Sequence, residues 1–403
     1  MLWYAFNSRI TMKKDITIVC SKCLKPSKKG VISCTCSTSR YYDYETVLYD
    51  YKKAAENFPL VGTHNGLDRF LPLLPNEKFS ITLGEGNTPL LHFQKFGLKY
   101  GLARLFVKNE TGNPTGCFKD RETAVGINVE SEQGTKKIEI VSSGNAAISA
   151  VAYSNKAGIE CLCHIPETTS EGKKQLLQIF GAKFQLHKGD YENIYRNVID
   201  SHSLKDTVVN FTAGKYVYRE EGNKTIAFEI YEQLDAVPDT VVVPIGNGSL
   251  LFAVYKGFWE LLQMKKIKKI PKMIGVQIAG FSPVAEALRQ GKDFVALPNS
   301  PHSIAEGGIA AMESYCSPKA IKAIKETDGA VIEITDADLV RVLKELITEE
   351  SFVVEPTSLA PFAAFSQIKS EPNETIVCVA TGNAFKNLEE ILRMLEGWSH
   401  AKK

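Results

Sequence analysis

Asn113-Pro114-Thr115-Gly116-Cys117-Phe118-Lys119-Asp120-Arg121 places a lysine between a β-branched run at 104–108 and a helical pattern at 123–129. An amine held there against the apolar Phe118 can condense with an aldehyde as a Schiff base. By itself, a lysine at a helix start is more often just solvated. A second group of reactive side chains is Cys20-Ser21-Lys22-Cys23 with Cys34-Thr35-Cys36. Two close thiolate pairs can surround a tetrahedral structural zinc, and such a site is closed to catalysis. Small, partly buried thiols account for the same pattern equally well.

Three further segments bear on the lysine. Ser142-Ser143-Gly144-Asn145 lies between a strand at 138–142 and a helix beginning near Ala146. Asn145 can offer an amide to a ring oxygen at a strand's carboxyl end, or simply cap the helix. Gly246-Asn247-Gly248-Ser249-Leu250 joins a strand at 240–245 to a helix at 250–262. Small residues there let backbone N–H groups converge on a phosphate, although a plain tight turn has the same composition. Thr381 follows a strand at 375–379, and its hydroxyl can meet a pyridine nitrogen. An imine-forming lysine, a ring-oxygen donor, a phosphate cup and a nitrogen partner are the four handles of pyridoxal 5′-phosphate.

The elements that must position these residues alternate along the chain. Apolar runs at 104–108, 138–142, 160–165, 207–210, 240–245, 273–278, 331–334 and 375–379 suit strands covered on both faces. Helical spacing fills the intervals. At 335–347, Leu339, Val342, Leu343, Leu346 and Ile347 form one stripe, and Thr335 with Asp338 starts a capping box. The fold class is therefore α/β with largely parallel sheets. The 403 residues carry a formal charge of +2, too balanced for a general nucleic-acid binder. No stretch reaches the roughly 18–20 apolar residues that cross a bilayer. Nine cysteines form no even disulfide framework, which points to the reducing cytoplasm. Residues before Met12 read as a dispensable leader, and 57–86 as a connection into the catalytic body.

Taken in order, the Lys119 segment, the Asn145 segment and the glycine cup resemble the fold-type II pyridoxal phosphate enzymes, and among them the threonine synthases. Leu83-Gly84-Glu85-Gly86-Asn87-Thr88-Pro89-Leu90, Arg219-Glu220-Glu221-Gly222-Asn223-Lys224-Thr225 and Val353-Val354-Glu355-Pro356 add to the likeness. Cys20 to Cys36 resembles the N-terminal extension of some members. The resemblance implies two three-layer α/β/α domains of the tryptophan synthase β kind: a large cofactor-binding domain of 61–130 with 216–398, and a small mobile one of 131–215. An extension of 1–60 precedes them. It further implies that Lys119 carries the cofactor, that Asn145 meets the ring oxygen, and that Gly246, Asn247, Gly248, Ser249 and Leu250 hold the phosphate. Thr381 would face an unprotonated ring nitrogen, which favours elimination and replacement over transamination. The implied activity is conversion of O-phosphohomoserine and water to threonine and phosphate by a homodimer. Lys119 would act as anchor and acid–base, and Ser143, Ala146, Lys215 and Arg219 would face the substrate.

The substrate positions depart from the family pattern. Ala213 and Gly214 stand where Asn and Ser are usual, Ala146 where Thr is common, and Asn383-Ala384-Phe385 where His-Gly-Leu precedes Lys386. The segment 303–309 is acidic where an Ile-Arg is frequent. A hydrogen bond to a charged group contributes roughly 1.5–3 kcal/mol. Losing two costs about 10²–10⁴-fold in binding, unless Lys215, Tyr216 or Arg219 compensates. Phosphoserine β-replacement and serine or threonine deamination or racemisation are the alternative activities.

Overall fold

β-Branched runs become strands buried on both faces in the computed structural model, which describes residues 16–28, 31–32, 35–60, 66–202, 208–298, 302–305, 308–371 and 373–396. The larger sheet has six strands in the order Ala330–Ile334, Lys272–Ile278, Thr240–Pro244, Thr375–Ala380, Arg104–Asn109, Leu90–His92. The first five run parallel; Leu90–His92 pairs antiparallel at the edge. Alternation sorts the central side chains to opposite faces. Val241, Val243, Val377 and Val379 enter one core with helices Thr225–Leu234 and Ser249–Gln263. Val242, Ile376, Cys378 and Ala380 enter another, with helices Asp336–Glu350 and Pro356–Ala364.

The smaller sheet is parallel, in the order Val209–Asn210, Lys137–Val141, Glu160–Pro166, Lys183–His187. Near the amino end, Ile16–Cys20 pairs antiparallel with Glu45–Tyr49. The structure is thus α/β and three-layered, with the cysteine-bearing segment outside both large sheets. Lys183–His187, Leu90–His92 and the Ile16–Cys20 pair are strands that the apolar runs do not announce. Lys183–His187 is an edge strand without a fully buried residue, so no continuous apolar run was needed there. Of the run expected at 207–210, Val209–Asn210 is a strand, whereas position 207 falls outside the described residues, as does the segment before Met12. Among the described residues, no helix is long and apolar enough to cross a membrane.

Candidate active site

The loops after strands Arg104–Asn109, Thr375–Ala380 and Thr240–Pro244 carry the lysine, Thr381 and the glycine cup. These strands are parallel neighbours, so all three loops emerge at one edge. That is where ligands bind in open parallel sheets. Two backbone bonds stitch the first two loops together: Phe118 N–H donates to Thr381 O (2.9 Å) and Asn383 N–H to Gly116 O (2.8 Å). Asp120 anchors the lysine loop from inside, accepting from Thr115 N and Oγ1 (both 2.6 Å) and from Ser149 Oγ (2.7 Å).

Lys119 is the first residue of helix Lys119–Glu132, which begins four residues earlier than the periodicity indicates. Its Nζ lies 3.2 Å from Glu122 Oε1 and 4.5 Å from the centre of the Phe118 ring, and 17 % of its side chain is exposed. Glu122 is buried, which opposes its charge. Arg219 and Lys119 overcome that and hold the carboxyl below the usual carboxylate range. Arg219 is itself buried, bonded to Glu122 Oε1 and to the Phe211 carbonyl.

Asn145 opens helix Asn145–Ala157 after the smaller sheet's strand Lys137–Val141. It reaches the larger sheet's loops, donating from Nδ2 to Glu355 Oε2 (2.8 Å) and accepting on Oδ1 from Lys386 Nζ. Lys386 also donates to Thr115 O at 2.9 Å. Glu355 Oε1 accepts from Thr381 Oγ1 (3.2 Å), which shares a 2.7 Å hydrogen bond with Ser358 Oγ. Burial pushes the Glu355 carboxyl above its ordinary range, against the nearby Lys386 and its two donors. A Cβ at Gly382 would collide with this carboxylate, which would then have to leave its position.

The cup turns through Gly248 at φ +97° into helix Ser249–Gln263. A Cβ at Gly246 would run into the Gly308 carbonyl. Cys316 N–H donates to Asn247 O and Oδ1, both at 2.9 Å, and Ser314 Oγ to Gly246 O at 2.5 Å. The N–H groups of a helix's first turn lack intrahelical partners and carry the positive end of its dipole. Ser249 and Leu250 lie in that turn. A cradle with no room for side chains, an anion-seeking helix end and an accessible primary amine fit pyridoxal phosphate.

Asn145, Thr381 and the Lys119 loop are therefore linked through Glu355, Lys386 and backbone bonds. Ser143 and Ala146 flank Asn145, both half-buried. Lys215 instead donates to the Arg40 carbonyl, and burial pulls its pKa down to about 8. Tyr216 is buried with its hydroxyl on Glu130. Sequence reasoning assigned no role to Glu122, Glu355, Ser358 or Lys386. Glu122 could have been found from its position three residues after Lys119 on a helix. The sulfurs of Cys20, Cys23 and Cys36 lie within 4.8 Å of one another, and Cys34 is outside the described residues.

Residues 81–382 match the family model described as pyridoxal-phosphate dependent enzyme. The chain is 34% identical over 389 residues to threonine synthase of Methanocaldococcus jannaschii, covering 94% of each. It is 31% identical over 390 residues to that of Methanosarcina acetivorans, covering 95% of this chain and 91% of the relative. Among solved structures, an L-serine ammonia-lyase from Rhizomucor miehei aligns with TM-score 0.66 at 18% identity, over 78% of this chain and 99% of that one. Threonine deaminase isoform 2 from Solanum lycopersicum aligns with TM-score 0.63 at 22% identity, over 77% and 88%. These two likenesses concern the fold. With the matched family model and relatives of full length, the chain belongs to the fold-type II pyridoxal-phosphate dependent enzymes, as a lyase homologous to the threonine synthases.

Proposed function

We propose that this lyase converts O-phosphohomoserine and water to threonine and phosphate at the edge shared by the Lys119, Thr381 and Gly246 loops. The observation that carries the reading is the convergence of these loops on three adjacent parallel strands, with Asn145 tied in from the other sheet. When bound, pyridoxal phosphate supplies an electron sink that acidifies the Cα–H of the attached amino acid. Ser249 and Leu250 N–H would receive its phosphate, Asn145 its ring oxygen and Thr381 Oγ1 its ring nitrogen.

Lys119 Nζ takes a proton from substrate Cα and then one from Cβ. Phosphate departs from Cγ. Protons return to Cγ and Cα, and water adds its oxygen at Cβ, which balances to threonine and phosphate. A positioned acid–base contributes typically ~10²–10⁴-fold. Glu122 at 3.2 Å aims the amine, and Arg219 on the same carboxylate fixes Glu122 in turn. The same reading carries a cytoplasmic homodimer, which light scattering on the purified protein would check.

A second reading rests on Arg219. Its guanidinium is engaged by protein groups, and Ala146, Ala213 and Gly214 offer no side-chain donor to a substrate phosphate. That favours a substrate without a phosphate, serine or threonine with deamination; O-phosphoserine with replacement at Cβ is the phosphorylated alternative. Incubating holo-protein with O-phosphohomoserine, O-phosphoserine with and without sulfite, serine and threonine separates the readings. Phosphate and threonine from the first substrate alone are expected. No phosphate from it would sink the leading assignment.

A further inference from the structure

The cysteine cluster outside the two large sheets has a geometry of its own. Cys20 ends strand Ile16–Cys20 and opens a tight turn, in which Leu24 N–H donates to Cys20 O (2.8 Å) and Cys20 N–H to Lys25 O (2.9 Å). Leu24 takes φ +59°, a left-handed conformation that non-glycine residues seldom adopt. This turn returns the exposed Cys23 to the fully buried Cys20. Cys36 comes from a separate segment, yet its sulfur lies within 4.8 Å of both others. Three convergent thiolates suit a soft divalent cation, with zinc the commonest.

The chain just beyond Cys36 gives the cluster a purpose. Residues 40–44 cross from the smaller sheet's helix Tyr191–His202 to the loop that walls the glycine cup. Arg40 pairs with Asp200 (2.5 Å), and Tyr195 Oη donates to Tyr41 O (3.2 Å). Tyr42 stacks on Phe294 at 3.8 Å and donates to Glu313 at 2.8 Å. Asp43 N–H donates to Tyr315 O (2.8 Å), and its carboxylate holds the buried Lys319 at 2.6 Å. The next residue of that loop, Cys316, bonds Asn247 of the cup.

We propose that Cys20, Cys23 and Cys36 bind a zinc-like divalent cation, and that the bound ion anchors residues 40–44 across the two sheets. Full-length holo-protein purified under reducing conditions without chelator should carry about one zinc per chain. After exchange for cobalt it should show thiolate-to-cobalt charge-transfer absorption. C23S, at an exposed position that leaves the core intact, should lose both. Absence of stoichiometric metal, a Cys–Cys bond found by peptide mapping, or an unchanged cobalt spectrum in C23S overturns the site. Trypsin reads the anchoring: cleavage after Arg40 should accelerate at least about tenfold when metal is removed. The metal-free rate should hold in C23S with or without zinc. A rate indifferent to the metal overturns the anchoring while leaving the site.

Discussion

Lys119 and Arg121 stand two residues apart in one motif, and the fold puts them to opposite uses. Two residues on a helix are about 200° apart, so one side chain faces the ligand edge and the other the core. Arg121 is wholly buried and saturated. Its guanidinium donates to Glu110 (2.6 and 2.9 Å), Glu229 (2.7 and 2.8 Å), Thr88 and Thr225 (both 3.0 Å). Lys108 joins the same network, donating to Glu229 and Thr88 O at 2.7 Å each. Lys119 has a single carboxylate among its described ion pairs and keeps part of its side chain in solvent. A cation with every donor assigned holds structure; one with donors to spare can do chemistry. The Glu221–Lys224–Lys256–Glu260 cluster repeats the first pattern, with all four groups buried and Tyr49 Oη bonded to Glu221 at 2.6 Å.

The contrast is broken most directly at its two poles. K119A should lower turnover by at least about 10⁴-fold and abolish borohydride labelling of that peptide, with unfolding free energy changed by under about 1 kcal/mol. Retained turnover would end the assignment of Lys119. R121M should do the reverse, costing about 3–5 kcal/mol in urea unfolding because Glu110 and Glu229 lose their main counter-charge. The same network sets a pH dependence. Glu229 is buried, but Arg121 and Lys108 hold its carboxyl far below the ordinary 4.5. Its stabilisation is complete above that unfolded value and is lost as pH falls below it. Wild type should therefore lose stability steeply with acid from about pH 4.5 downward, and R121M less steeply. Equal slopes would mean that the network does not behave as a unit.

Glu355 lies between the two poles. It is buried like the scaffold carboxylates, yet its partners Asn145 and Thr381 are the groups proposed to hold the cofactor ring. E355Q keeps the shape but cannot accept both bonds, so one donor is left without its acceptor. A lost bond of this kind costs about 1–3 kcal/mol, which should weaken pyridoxal phosphate binding roughly 5–150-fold and shift the bound cofactor's absorption. A Gln variant that binds with unchanged affinity and spectrum would return Glu355 to the scaffold.

The strands of the larger sheet were readable because burial on both faces leaves uninterrupted apolar runs such as Val241-Val242-Val243. Lys183–His187 was not, since an edge strand half in solvent needs no such run. Among the charged motif residues the sequence shows the type but not the number of partners. Arg219 and Lys215 were expected to face substrate; Phe211 lies only 8 residues from Arg219, but the other protein partners, Glu122 and Arg40, are 97 and 175 residues away along the chain. Lys386 and Glu355 were visible as motif members, whereas their bonds to Asn145 span 241 and 210 residues. Local spacing cannot report such pairings; Lys119 with Glu122, on one helix turn, was within its reach.

The smallest effect calibrates the rest. Thr335 and Asp338 were read as a capping box from three-residue spacing, and the structure contains it: Thr335 Oγ1 accepts from Asp338 N–H (3.3 Å), while Asp338 Oδ2 accepts from Thr335 N–H (3.0 Å). This cap is exposed, so water can take over the freed groups when the hydroxyl is removed, which the core of Arg121 does not allow. T335A should cost about 1 kcal/mol in urea unfolding with turnover unchanged. Were T335A to cost as much as R121M, burial and partner saturation would not be what separates the scaffold charges from the rest.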